Sequence, residues 1–161
     1  MKKKCEKCGK EFEAKDTKFK LCPSCFSTIK NDFGNISNYL LEFYYDPNGN
    51  PIKEVYIDVP QKLANIFFKS KPPLTIKQLR DVHHRILKAK TKAMLKGIDS
   101  ARYILYECQR DLEYQTKRGI IPESFIQFMK HHLVKAEKDE KSLEGFFQHL
   151  DSIVCYFPTK K

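Results

Sequence analysis

The chain has 161 residues, 41% of them hydrophobic and 31% charged, with six cysteines and a net charge of +10 at pH 7. That length allows one core-bearing domain with a small appendage, and no apolar run approaches the roughly 20 residues that a membrane-spanning helix needs. The basic start Met1–Lys4 is not followed by an apolar segment, so no secretory signal is expected and the cytoplasm is the expected compartment.

The charge is concentrated in two places: residues 1–30 carry +5 and 71–98 carry +7, while 31–70 carry −2 and 99–161 balance. Local basic stripes argue for a bound polyanion, whereas a uniform excess argues mainly for solubility. Nucleic acid is favoured over an anionic membrane, because the basic helices described below are tied to a core.

In chain order, Cys5-Glu-Lys-Cys8 and Cys22-Pro-Ser-Cys25 come first, two Cys-X-X-Cys pairs with 13 residues between them. Each pair can wrap one side of a tetrahedral ion, with Gly9 easing the first turn and Pro23 stiffening the second loop. The expected cofactor is a structural Zn²⁺ held by Cys5, Cys8, Cys22 and Cys25; a thiol redox pair and an iron-sulfur site are the alternatives. Four cysteine ligands leave no open position for a substrate water. Phe12, Phe19, Leu21 and Phe26 are the expected small core. Lys2, Lys3, Lys4, Lys7, Lys10, Lys18 and Lys20 are candidates to touch nucleic acid, with docking on a protein as the equal alternative.

Asn31–Ser37 is polar and reads as a connector. Tyr39–Tyr45 and Ile52–Val59 flank a turn carrying Asn48-Gly49, which predicts a β-hairpin with no chemistry of its own. Pro60 opens a short helix, Gln61–Lys69, with Leu63, Ala64, Phe67 and Phe68 inward, and Lys71-Pro72-Pro73 stops it. Thr75 is the predicted cap of a long basic helix. There Ile76, Leu79, Val82, Ile86, Ala93 and Met94 share a core-facing side and Lys77, His84, Arg85, Lys88 and Lys92 lie roughly opposite. From Val82 to Ile98 there are five cations and no acid.

Gly97 ends that helix, and Asp99 and Ser100 start the next, which Gly119 ends. Ala101, Ile104, Leu105, Cys108 and Leu112 form its inner face; Tyr103, Tyr106, Arg110, Tyr114 and Lys117 lie about 180° away. Cations interleaved with rings suit a polyanion with stackable bases. The plainer reading is a solvated lysine face with tyrosines packed on a neighbouring helix. Pro122 starts a fourth helix with Phe125, Phe128, Met129, Leu133 and Ala136 inward, His132 among them as a core histidine. A fifth carries Leu143, Phe146, Phe147, Leu150, Ile153, Val154 and Phe157 on one face. The predicted fold is mainly α: a five-helix bundle (60–157) preceded by a zinc-ribbon-like module (1–30) and a linker with the hairpin (31–59), and followed by a tail (158–161).

Three segments carry a resemblance. Thr75-Ile-Lys-Gln78-Leu79-Arg80 resembles the Thr-X-X-Gln-Ile/Leu-Arg start of the main helix in the small helical subunit of type III-A CRISPR effector (Csm) complexes. Leu112-Glu-Tyr114-Gln-Thr-Lys-Arg118 is similar to its Leu-X-Tyr-X-X-X-Arg segment. Phe146-Phe147-Gln-His-Leu150-Asp151-Ser-Ile153-Val154-Cys-Tyr156 is similar to its closing segment, with Cys155 where the family usually has Ala. The resemblance spans Pro60–Phe157, in the family's order; the N-terminal cysteine module and the hairpin lie outside the family core. It implies a non-catalytic protein present in several copies, which contacts the phosphate backbone of target RNA paired with a guide RNA. Its implied partners are adjacent copies of itself, the large subunit and the repeated backbone subunits.

Arg80 and Arg118 are the cations that the resemblance supplies. Lys77, Arg85, Lys88, Lys92, Arg110 and Lys117 come from the helical faces. Two other classes stand beside this reading. A zinc-ribbon DNA-binding regulator would place specificity in the cysteine module, and a nuclease would need His83 or His84 as general base. No Gly-rich phosphate loop is present.

Overall fold

The computed structural model describes residues 2–6, 8–14, 20–25 and 36–159. Two compact units divide the chain, Met1–Asn35 and Ile36–Lys161. In the first, β1 (Lys2–Lys4) pairs antiparallel with β2 (Glu11–Glu13), Lys3 opposite Phe12. Gly9 takes φ +73°, a left-handed turn that suits glycine, and its N–H donates to Cys5 O at 2.9 Å. Cys5, Ala14 and Cys22 are buried and Phe12 and Leu21 half-buried. Phe19 and Phe26, the other expected core residues, lie outside the described residues, as do Lys7, Lys18 and most of the connector Asn31–Ser37.

The second unit is helical. Its elements are α1 (Lys53–Tyr56), α2 (Val59–Lys69), α3 (Ile76–Lys96), α4 (Arg102–Lys117), α5 (Glu123–Ala136) and α6 (Glu140–Tyr156). The five predicted helices are α2 to α6, and α1 is an additional single turn. Helix α6 carries a buried face from Leu143 to Ile153 and packs against α1, α2, α3 and α5, while α4 is held between α3 and α5. The centre is aromatic: Phe67 meets Phe125 edge-on at 5.2 Å and Phe128 at 5.5 Å, and Phe128 lies 6.2 Å from Phe146. His132 is fully buried here, as expected, stacked 5.3 Å from Phe146 with its Nδ1 2.5 Å from the Tyr44 hydroxyl.

The hairpin expected over Tyr39–Val59 is corrected. Its turn is present: the Asp46 carboxylate accepts from Asn48 N and Asn50 N at 2.9 Å each, and Gly49 takes φ +83°. The strands are not. The ladder stops at one bridge, Tyr45 to Pro51, with a 3-10 turn (Ser37–Tyr39) on one side and α1 on the other. The cause is tertiary: helical winding of 53–56 buries Val55 and presents its carbonyl to His149 Nδ1 at 3.0 Å, and Pro51 has no N–H to extend a ladder. Ile36, Leu41, Tyr44 and Val55 all join the helical core.

Candidate nucleic-acid interface and metal centre

Helix α3 begins with a reciprocal cap. Gln78 N donates to Thr75 Oγ1 at 3.2 Å and Thr75 N to Gln78 Oε1 at 2.9 Å, and the helix ends at Gly97 with φ +87°. Leu79, Val82, Ile86, Ala89 and Ala93 face the core. Met94, expected inward, is 68% exposed. It lies about 100° round the helix from Ala93, and the small Ala89 and Ala93 fill the close approach instead. Leu95, at 77%, is also exposed.

Three contacts place α3 and α4 side by side and antiparallel: Lys92 Nζ to the Tyr103 hydroxyl at 2.9 Å, Arg85 Nη2 to Asp111 Oδ2 at 2.9 Å, and Gln78 Nε2 to Ile120 O at 3.5 Å. The inner face of α4 is as predicted, with Ala101, Ile104, Leu105, Cys108 and Leu112 buried. Burial pushes the Cys108 thiol up to about 11, so it is inert. On the outer face Tyr103, Tyr106 and Tyr114 are 46–61% exposed. Interaction with Glu137, at the end of α5, raises the Tyr106 hydroxyl above its ordinary value. Tyr103 and Tyr114 remain beside the cations.

Seven of the eight candidate cations fall into three groups. Arg85 and Arg110 share Asp111, the latter through Nη2 to Oδ1 at 3.1 Å, and Arg85 above all, then Arg110, holds that carboxyl below its usual value. Two stand on rings: Lys92 is 4.5 Å from the Tyr103 centroid and Arg118 is 5.6 Å from that of Tyr114. Lys77, Lys88 and Lys117 are exposed and make no ion pair among the described residues. Arg80 is separated from the others: it borders an apolar groove of about 450 Å³ with Phe68 and Phe157.

On the α6 side, Lys90 pairs with Glu144 at 3.0 Å over the Phe147 ring. His83 Nε2 lies 2.9 Å from Asp151 Oδ1 with its ring against Phe147, and His84 is exposed. Asp111 orders two of the arginines, and its pairing with Arg85 is not legible in sequence because it joins two helices.

In the first unit the sulfurs of Cys5, Cys8, Cys22 and Cys25 all lie within 4.8 Å of one another, and Cys8 to Cys22 is 3.8 Å. A tetrahedral ion with bonds of about 2.3 Å separates its ligands by about 3.8 Å, so the cluster fits one metal ion. Hydrogen bonding to Cys22, then Cys8, pushes the Cys25 thiol up to about 12; four thiolates this close would be held together by a cation among them. Some of the described lysines around it face acids. Lys2 stands across from Glu13 and Lys4 from Glu11, and Lys20 pairs with Glu6 at 3.7 Å.

The chain is thus a small helical bundle with, ahead of it in sequence, a four-cysteine cluster that could hold a metal ion. The chain belongs to the Csm2 Type III-A family, whose match covers residues 54–161. Family membership supports a place as small subunit of a type III-A CRISPR complex. The match starts in α1, so the second half of the expected hairpin lies within the family region rather than outside it. No curated protein and no solved structure matches the chain. Among the described residues, no helix is long and apolar enough to cross a membrane.

Proposed function

We propose that the chain is a non-catalytic, cytoplasmic subunit that neutralises the phosphate backbone of target RNA paired with guide RNA, in service of RNA-guided antiviral interference. The face of α3 and α4 carries the contact. The observation behind this reading is that Lys77, Lys88 and Lys117 are exposed without ion pairs among the described residues, beside Arg118, Tyr114 and the Asp111-anchored Arg85 and Arg110. Free cations gain most from phosphate, because they give up no existing partner. Base identity is left to guide pairing. Neighbouring copies of this chain, the large subunit and the repeated backbone subunits complete the assembly.

A structural Zn²⁺ holds the cysteine module together.

The test is RNA affinity of the full chain against salt. With about five phosphates contacted, log affinity falls against log salt with a slope of roughly −3 to −4 for a single strand. Lys77→Glu with Lys88→Glu reduces that slope by about 1–2 and weakens all RNAs alike. A flat salt response, or an unchanged slope in the double variant, sinks the proposal.

A further inference from the structure

Arg80 stands apart from the RNA face, beside the apolar groove of about 450 Å³ that lies past the C-terminal end of α6. Phe68, Ile76 and Pro158 are half-buried there and Pro73 is exposed, with Phe157 buried behind them, edge-on to Phe68 at 5.8 Å. Arg80 itself is exposed and has no ion pair among the described residues. We propose that the groove receives Phe43 and Glu42 of a second copy of this chain, the ring on the apolar wall and the carboxylate on Arg80, so that copies join head to tail. The inference deepens the reading that neighbouring copies adjoin, and it does not depend on the RNA contact.

Phe43 is 72% exposed, the most exposed of the phenylalanines and tyrosines among the described residues. The chain around it is anchored: His131 Nε2 lies 2.8 Å from Leu41 O, Tyr44 is buried against His132, and the Tyr45 hydroxyl donates to Lys141 O at 3.0 Å. The ring is therefore displayed on a segment already ordered, and docking it loses little further freedom. Glu42 lies 3.5 Å from Lys135 yet keeps its side chain 69% exposed, which leaves oxygen lone pairs for a second cation. A groove with an apolar wall and one unpaired guanidinium at its rim matches an aromatic ring next to a carboxylate. The ring takes on the order of 150–250 Å² out of water, and the guanidinium fork grips both carboxylate oxygens.

A second copy is the occupant because one molecule carries both halves of the contact, at opposite ends of α6. Tyr45 is bonded to Lys141 at the start of that helix and the groove begins at Phe157 just past its end; 17 residues span about 25 Å. A contact between unlike ends leaves one knob and one groove free, so each added copy offers the same ends again. Glu42 and Phe43 precede the family match, which starts at residue 54, while the groove lies within it. The knob thus belongs to the segment that this chain carries ahead of the family region. One ring and one ion pair bury less than the roughly 1,000 Å² of a stable interface, so the contact is weak between free copies and gains when they are held in a row.

The experiment is sedimentation velocity of the full zinc-loaded chain without RNA, at concentrations up to about 1 mM. The weight-average sedimentation coefficient is expected to climb with concentration and to show no plateau at the dimer. Phe43→Ala and Arg80→Glu, both at exposed positions, are each expected to weaken association about tenfold or more. Mixed in equal amounts, they restore one contact, the groove of the first with the knob of the second, and stop at the dimer. A monomer at every concentration overturns the proposal, as does association that is unchanged in both variants and so lies on another surface. A parent that plateaus at the dimer, or a mixture that stays monomeric, overturns the head-to-tail pairing. With no RNA present, none of these outcomes touches the phosphate reading, which the salt series tests by itself.

Discussion

Gly145 is a glycine because Tyr44 occupies the place of its side chain. A Cβ there would lie 2.6–2.8 Å from three Tyr44 ring and Cβ atoms, closer than van der Waals contact allows. Tyr44 has no room to yield, being buried and bonded to His132. Gly145→Ala is expected to lower the urea-unfolding free energy by about 2 kcal/mol, with exposed Cys155→Ala within about 0.5 kcal/mol of the parent; equal midpoints for the two would show that the segment 41–45 shifts freely.

The buried histidines beside it make stability depend on pH. His149 donates Nδ1–H to Val55 O, and its Nε2 is buried without a partner among the described residues, as is that of His132. Burial pushes His149 down to about 4, opposed by the Val55 bond, and burial first, then His149, His131 and Lys135, pushes His132 well below its ordinary value. Both are neutral in the fold at pH 7. The unfolded chain takes up their protons near 6.5 and the native chain does not, so stability is undiminished above about pH 6.5 and falls as pH drops toward 4. A loss of about 2–3 kcal/mol between pH 7.5 and 5.5 is expected in urea unfolding. An unchanged midpoint across that window would mean the pair is solvated.

At the scale of elements, helices were legible wherever a face of period 3.6 met a cap. Thr75 and Gln78, half of the first family-like segment, form the capping box, and Leu79 is core, so that segment is mainly a folding signal. Of the polar motif residues in that segment, Arg80 alone has no side-chain hydrogen bond or ion pair among the described residues. Met94 was misplaced because a helical wheel gives direction but not the depth of the neighbour, which Ala89 and Ala93 set. The hairpin failed for a related reason. Its turn chemistry is local and was read correctly, while the fate of Ile52–Val59 depends on His149, some 90 residues away. The candidate interface was legible as a set of cations, not as an arrangement. Which lysine is free and which is held, as Lys90 is by Glu144, depends on pairings between helices that no single helix pattern contains.

On the scale of the whole molecule, the two units differ in what holds each together. Ile36–Lys161 has a core of its own, with Phe67, Phe125, Phe128 and Phe146 fully buried. Among the described residues of Met1–Asn35 the buried apolar positions are Cys5, Ala14 and Cys22; a metal ion held by the four cysteines would add folding energy on the order of 10 kcal/mol. Cysteine accessibility tests this directly, because the six thiols fall into three classes: Cys155 exposed, Cys108 buried in the helical core, and the four of the cluster. In the zinc-loaded chain one thiol, Cys155, is expected to react quickly with a thiol reagent. After chelation Cys155 and the four cluster cysteines react, five in all, while far-ultraviolet circular dichroism keeps its helical signal; the sixth, Cys108, appears only in denaturant. Five fast thiols before chelation would show that the cluster holds no metal in solution. Loss of the helical signal together with the metal would show that the core of α1 to α6 does not stand alone.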